Sequence, residues 1–471
     1  MRPDLRGATE KPAKNGEARR AASTIAAIAT ADSPTVANAE EGSSRPYALV
    51  ERAGALAVRV REWLRRPYAP LVLLGVVSLF SLGARVLWLA NPNSALIFDE
   101  AYYVNAARVI IGIHPPAGAN YASAALGVDP NQEHPPLGKL FVVAGMRMFG
   151  DNPLGWRFFS LVFGSLAILL MFWLVRQAGG GRWLALGAAT LMAVDNLSLV
   201  HGRIATLDVF AVVFMLAAAV FYLRGWWILA ALATGLGLAV KLYTGEILLV
   251  LLLFEMLMLR PPGATLGTLI VRFAKYAGLA VVAYVVALAV FDGAMHTGTN
   301  PLRHTLDMIG YAGNLKSTGG PVGIASYPWE WLLNQTPINY FTVNTDVYVG
   351  GKLIVSHPVV AFQGLMNPFI IFLALPAFAL AVRLAGRERD RVAALSVAWI
   401  LATFVPFVIM AVFLQRTEYL YYMLVVLPGI YIAVARLFSR RFLPRSALVG
   451  YVCALGYGFW SLYPFRTFRG Y

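Results

Sequence analysis

Cysteine is almost absent from this chain, with Cys453 alone among 471 residues. No internal disulfide and no cysteine-based metal site can form. There is no HExxH pair and no spaced Cys/His set, so the usual zinc patterns are excluded. No glycine-rich phosphate loop follows a strand, which argues against a nucleotide substrate. Charge is also scarce. Asp, Glu, Lys and Arg make up 13% of the residues, while 59% are hydrophobic. That balance excludes an ordinary soluble domain and fits a polytopic membrane protein. Acids are outnumbered 24 to 39 by Lys and Arg, for a net charge of +15. The basic residues cluster between apolar runs and not in aromatic-rich basic segments. The excess therefore reads as a topology signal, with no nucleic-acid partner.

Residues 1 to about 45 are rich in Ala, Glu, Arg, Ser and Gly, the composition of a disordered tail. The Ala21–Ala31 stretch resembles a signal peptide only faintly, because Ser23, Thr24 and Thr30 interrupt it. Residues 1–69 are read as tail and pre-membrane segment, 70–464 as an all-α membrane domain, and 465–471 as a short C-terminal tail. Hydropathy predicts about eleven transmembrane helices, at roughly 70–90, 156–176, 183–200, 204–223, 225–242, 245–259, 269–291, 362–382, 393–414, 418–436 and 447–464. The pair near 225–242 and 245–259 is short enough to form one broken unit around Gly245 and Glu246.

Connecting charges support that alternation. One set of loops carries Arg176 and Arg182, Arg224, Arg260, Arg272 and Lys275, Arg383 to Arg391, and Arg436 to Arg445. The other short loops carry Arg203, Lys241 and Arg416, each beside a His, Asp or Glu. The positive-inside rule puts the first set in the cytoplasm, together with the N-terminus behind Arg59, Arg61, Arg65 and Arg66. Two long loops, 91–155 and 292–361, then face outside. Leu137–Phe149 and Asp99–Ile111 are predicted as helices lying along the interface.

The outer side collects the chemistry. Asp99 and Glu100 follow the first span by a few residues, with His134, Lys139 and Arg157 after them. The turns His201 to Asp208, Lys241 to Glu246, and Gln415 to Tyr419 add Arg203, Asp208, Lys241 and Arg416. Acids at a helix start offset its macrodipole, and neighbouring ions pair, so each residue alone has a structural reading. Gathered on one membrane face, ionisable groups mark a shared polar cavity. Carboxylates beside several cations suit transfer from an anionic leaving group to a hydroxyl. The carboxylate takes the proton and the cations hold a phosphate. A polyprenyl phosphate would present such a donor from the bilayer. Asp99, Glu100 and His134 could also hold a divalent metal, but nothing in the sequence requires a cofactor.

These residues also carry a resemblance. Phe98-Asp99-Glu100, His134-Pro135-Pro136-Leu137-Gly138-Lys139, Gly155-Trp156-Arg157-Phe158-Phe159-Ser160 and Gly202-Arg203-Ile204-Ala205-Thr206-Leu207-Asp208 resemble the protein O-mannosyltransferases that use dolichyl-phosphate mannose. So do Ser326-Tyr327-Pro328-Trp329-Glu330-Trp331, Pro337 to Phe341, Asn367-Pro368 and Arg416 to Tyr422, in family order. The likeness covers about residues 70 to 464. It implies a glycosyltransferase-C fold and inverting transfer of mannose from a polyprenyl-phosphate donor to Ser or Thr of an exported protein. It maps the family's acidic pair onto Asp99 and Glu100, and its arginine after the first loop onto Arg157. Residues 292–361 are too few for the β-trefoil domain of larger eukaryotic members, so the resemblance is to a compact, prokaryote-type member.

The expected roles follow. Asp99 is the general base and Glu100 orients the hydroxyl or the sugar. Arg157, with Lys139, His134 or Lys241, holds the donor phosphate. Arg203, Asp208 and Arg416 are further site candidates. Trp329 and Trp331 pack on a sugar or acceptor peptide, or belong to an interfacial aromatic belt. The expected location is the cell membrane, multi-pass, with the site facing outside. Two rival readings are a transferase acting on an envelope lipid or glycan, and a transporter or flippase of a lipid-linked sugar. The polar residues gather at one face and no internal repeat is evident, which favours an enzyme.

Overall fold

A computed structural model describes residues 55–56, 58–90, 95–258, 266–295, 297, 300–439 and 444–463. The N-terminal tail with its Ala21–Ala31 stretch, the basic residues Arg260, Arg440 and Arg441, and the 465–471 tail lie outside the described residues. The chain divides into two compact units, 1–66 and 67–471. The described part of the first holds a helix over residues 58–64. Everything below concerns the second.

Its helices are α1 (Ala69–Val86), α2 (Glu100–Ile110), α3 (Leu137–Phe149), α4 (Pro153–Gln177), α5 (Arg182–Ala193), α6 (Asn196–His201), α7 (Asp208–Leu223), α8 (Trp227–Leu238) and α9 (Glu246–Met258). Then come α10 (Leu266–Ala294), α11 (Pro301–Asn314), α12 (Pro328–Trp331), α13 (Pro368–Ile371), α14 (Ala374–Arg387), α15 (Arg391–Phe413), α16 (Met423–Phe438) and α17 (Arg445–Leu462). Short 3₁₀ turns at Leu242–Gly245 and Leu420–Tyr422 precede α9 and α16.

Among the described residues, six helical stretches are long and apolar enough to cross a bilayer: Ala69–Val86, Pro153–Gln177, Gly267–Ala294, Pro368–Arg387, Arg391–Phe413 and Leu420–Phe438. The other predicted spans are shorter or broken. The run at 183–200 breaks because Asp195 leaves the helix and caps α6, its Oδ1 accepting from Ser198 N at 3.0 Å and its Oδ2 from Asn367 N at 3.0 Å. The run at 225–242 stops at Leu238, and Lys241 is extended. Length alone therefore carries six of the eleven spans. Leu79, Phe80, Val281, Val282, Val285 and Val286 point outward from α1 and α10, whereas α16 is buried on nearly every side. Outward apolar faces around a buried central helix are the packing of a multi-pass membrane protein.

The second long loop departs from an all-α fold. Strands β1 (Ile338–Val349) and β2 (Lys352–Gly364) form an antiparallel hairpin. Its turn is Gly350-Gly351, both at positive φ, as two-residue hairpin turns demand. The span expected from 362 accordingly starts only at Pro368.

The expected interfacial segment at 137–149 is helix α3, and it packs on α4 through Gly145. A Cβ at Gly145 would sit 2.2 Å from the carbonyl oxygen of Gly155. Gly145→Ala is therefore expected to force the two helices apart and cost about 1–3 kcal/mol, the usual penalty for overpacking. Thermal unfolding in detergent checks this, and an unchanged midpoint would sink the account. On the other side, the Asn152 side chain caps α4 by accepting from Leu154 N and Gly155 N at 3.0 and 3.2 Å. That start sets Arg157 one turn inside the helix.

Candidate active site

Adjacent residues at a helix start point in different directions, and Asp99 and Glu100 use this fully. Glu100 is fully buried, and both of its oxygens are engaged. Arg157 donates Nε to Oε1 at 2.7 Å and Nη2 to Oε2 at 2.6 Å. The backbone N–H groups of Ala205 and Ile97 donate to Oε1 and Oε2, each at 2.8 Å. Arg157 is as buried as its partner. It also donates to the carbonyls of Leu89 and of Ala95, the latter at 2.9 Å. Every nitrogen of this guanidinium thus serves the protein itself. The pair joins α4, the start of α2 and the 203–206 turn into one block.

Asp99 is the opposite case. It is half-buried at the N-cap of α2, and its carboxyl makes no hydrogen bond among the described residues. Burial raises its pKa to about 7, with Lys241 pulling it down and Asp208 pushing it up. A carboxyl pushed by burial toward neutrality is matched to proton transfer at physiological pH.

Asp208, at the start of α7, lies behind it. Its Oδ1 accepts from Lys241 Nζ and from the Tyr243 hydroxyl, each at 2.7 Å. His201 Nδ1 is 3.8 Å from Oδ2 and 3.0 Å from Thr206 Oγ1. Lys241 lies over the rings of Tyr243, Tyr421 and Tyr422, 5.0–5.8 Å from their centroids. Arg416 lies 5.6 Å from the Tyr422 ring centroid. The two cations therefore share one aromatic partner.

Other expected site residues act differently. Lys139 is fully buried. It pairs with Asp129 at 2.5 Å and donates to the carbonyls of Asn131 and His134, which pins the loop before α3. The expected contact with a donor phosphate gives way here, because that ammonium has no open side. The His134 ring makes no hydrogen bond among the described residues and lies 6.1 Å from the Tyr103 ring. Burial, then Lys241 and Lys139, lower its pKa to about 3, so the imidazole is neutral. Arg203 is buried, donates to the carbonyls of Leu87 and Trp88 at 3.2 Å, and lies over Phe362. The second long loop braces the first, since His304 bridges Asp292 at 2.9 Å and the Gln132 carbonyl at 2.9 Å.

The two tryptophans part company. Trp331 has no exposed face. Its Nε1 donates to Ser326 Oγ at 2.8 Å, and its ring packs on Phe404, Phe407 and Tyr422. Packing on a ligand is therefore closed to it. Trp329 is exposed, stacks on Tyr327 at 4.5 Å, and lines a cleft of about 380 Å³ together with Gln415, Arg416 and Glu418. No group of three or more His, Cys, Asp or Glu gathers as a metal site among the described residues. Sequence reasoning left out of the expected site the tyrosines that line it, Tyr243, Tyr340, Tyr421 and Tyr422. The aromatic run at 419–422 was the available signal.

Residues 75–298 match the family model described as dolichyl-phosphate-mannose-protein mannosyltransferase. The polyprenol-phosphate-mannose–protein mannosyltransferase of Corynebacterium glutamicum is 32% identical over 148 residues, which is 31% of this chain and 28% of that protein. The match thus spans less than a third of that relative. In structure, the chain is similar to the Saccharomyces cerevisiae protein O-mannosyltransferase Pmt1-Pmt2 complex bound to the sugar donor. The TM-score is 0.65 and the identity 13%, covering 84% of this chain and 90% of that one. It is also similar to ArnT from Cupriavidus metallidurans bound to undecaprenyl phosphate. There the TM-score is 0.54 and the identity 17%, over 82% and 63% of the two chains. These likenesses give the helical membrane domain the glycosyltransferase-C fold. Over residues 75–298 the family model and the motif order read above agree, and this stretch is similar to the dolichyl-phosphate-mannose-protein mannosyltransferases.

Proposed function

We propose that this chain is an inverting glycosyltransferase that moves mannose from a polyprenyl-phosphate donor to Ser or Thr hydroxyls of exported proteins. The observation that carries the reading is the Asp99 carboxyl. It stands without a hydrogen bond among the described residues, beside the Lys241–Asp208 pair and inside the stretch that the family model matches. Asp99 takes the proton from the acceptor hydroxyl. The oxygen attacks the anomeric carbon, the bond from that carbon to the phosphate oxygen breaks, and the electron pair leaves with the phosphate. Lys241 and Arg416, facing one aromatic wall, hold that phosphate and offset its growing charge. His134, neutral and close by, offers a hydrogen bond to donor or acceptor. Glu100 and Arg157 hold the scaffold that aims Asp99. Purified protein given labelled polyprenyl-phosphate mannose and a Ser/Thr-rich peptide should yield mannosylated peptide. Labelled envelope lipid in place of peptide would move the acceptor class. Movement of intact donor across a vesicle membrane, without cleavage, would overturn the enzyme reading.

The rate should depend on pH through Asp99. A base must be ionised, and burial raises this carboxyl to about 7. Transfer is therefore expected to fall about tenfold for each pH unit below 7 and to level off above it. A profile flat from pH 5 to 8 would remove Asp99 as the titrating base.

The site is proposed to face the cell exterior, with loops 91–155 and 292–361. In a Cys453→Ser background, Ser123→Cys should react with a membrane-impermeant thiol reagent in intact cells, and Gly181→Cys should not. Both positions are exposed. The reverse pattern would put the carboxylate pair in the cytosol.

A further inference from the structure

The residue before the candidate base has an unusual backbone. Phe98 has φ +55°, uncommon for a bulky side chain, and such a conformation persists where its surroundings over-determine it. Its ring is held from the far loop. Tyr340 stacks on it with centroids 4.1 Å apart and planes 22° apart, and Tyr421 meets it edge-on at 5.6 Å.

Tyr340 reaches this place by two local devices. Asn339 pairs with Gln363 and Phe341 with Phe362, so Tyr340 is the extra residue of a β-bulge. Bulges re-aim a side chain out of the regular alternation. Across the hairpin stands Gly364, where a Cβ would lie 2.4 Å from the Tyr340 ring. Only glycine there leaves room for the ring. The Tyr340 hydroxyl then meets His201 Nε2 at 2.8 Å, and the other face of that imidazole looks at Thr206 and Asp208.

We propose that Tyr340 is a positioning residue for Asp99, the base of the hairpin clamping Phe98 so that the adjacent carboxyl is held toward the Lys241–Asp208 pair. The proposal rests on the reading of Asp99 as the base. It assigns to the hairpin a role in the chemistry without contact to the reacting atoms.

The test uses the purified full chain with Tyr340→Leu, Tyr340→Phe and Gly364→Ala. Hydrogen exchange over residues 97–103, read by mass spectrometry, requires no activity and should speed up in Tyr340→Leu and Gly364→Ala. Transfer kcat should fall on the order of 10²-fold in Tyr340→Leu, the usual loss for a misplaced group, with KM for the donor unchanged. Tyr340→Phe keeps the stack and should recover most of that loss. Titratable groups around Asp99 are Lys241, Asp208, Tyr103, Tyr340, Tyr419 and Tyr421. Loosening the clamp admits water to the carboxyl, so the acidic limb of the pH profile should move below its wild-type position near 7. Wild-type exchange over 97–103 in Tyr340→Leu overturns the clamp. So does a kcat loss that Tyr340→Phe fails to rescue and that leaves the limb in place. If the wild-type protein transfers no mannose, the functional reading falls, and the exchange result alone decides the clamp.

Discussion

Asp99→Asn is expected to lower single-turnover mannosyl transfer about 10²- to 10⁴-fold, the usual cost of removing a positioned general base. The variant keeps the shape of the side chain and loses the proton acceptor. Folding should survive, because the Asp99 carboxyl makes no hydrogen bond among the described residues that the amide would break. The sign of the stability effect follows from the raised pKa. Between the unfolded value of 3.8 and the folded value of about 7, the folded state binds the extra proton, so stability falls as pH rises through that window. Above 7 the ionised carboxyl carries its full burial penalty, and the neutral amide should equal or exceed the wild-type melting temperature. Donor affinity is measured separately at the same pH. Near-normal transfer with normal donor binding would exclude Asp99 as the base.

Arg157→Met should be the most destabilising single change at the site. It leaves the Glu100 charge buried, with only two backbone N–H donors in place of a bidentate partner. Breaking a buried pair from one side costs about 3–5 kcal/mol. Arg157→Lys keeps the charge but loses the planar fork and the reach to the Leu89 and Ala95 carbonyls, so it should rescue only partly. Adding Glu100→Gln to Arg157→Met removes the orphaned charge and should recover part of the lost stability. Thermal unfolding of the four proteins in one detergent gives the comparison. A wild-type midpoint for Arg157→Met, combined with weakened donor binding, would return Arg157 to the donor phosphate and end its role as the partner of Glu100.

That reassignment shows where sequence reasoning stopped. Arg157 and Glu100 are 57 residues apart, and each on its own reads as a group waiting for a substrate. Lys139 reads the same way until Asp129 is found against it. The hairpin was within reach. Gly350-Gly351 stands between Val347-Tyr348-Val349 and Lys352-Leu353-Ile354-Val355, a strand–turn–strand signal set among long apolar runs. The break at Asp195 was less accessible, because the second oxygen of the capping carboxylate is held by the backbone N–H of Asn367, 172 residues away.

The sequence by itself determined the class of molecule and carried the family resemblance. Apolar runs must leave water, and the ordered motifs around Asp99, His134, Arg157 and Asp208 carry the resemblance. Those are local properties, readable in a window of a few residues. Which partners each ionisable group meets was decided only by the tertiary structure. A carboxylate becomes a scaffold bond or a base according to the donors that meet it, and those donors come from distant helices. Glu100 is held by groups from α4 and the 203–206 turn, whereas the Asp99 carboxyl meets no hydrogen-bond donor among the described residues. For Asp99, burial without such donors raises the carboxyl toward neutrality.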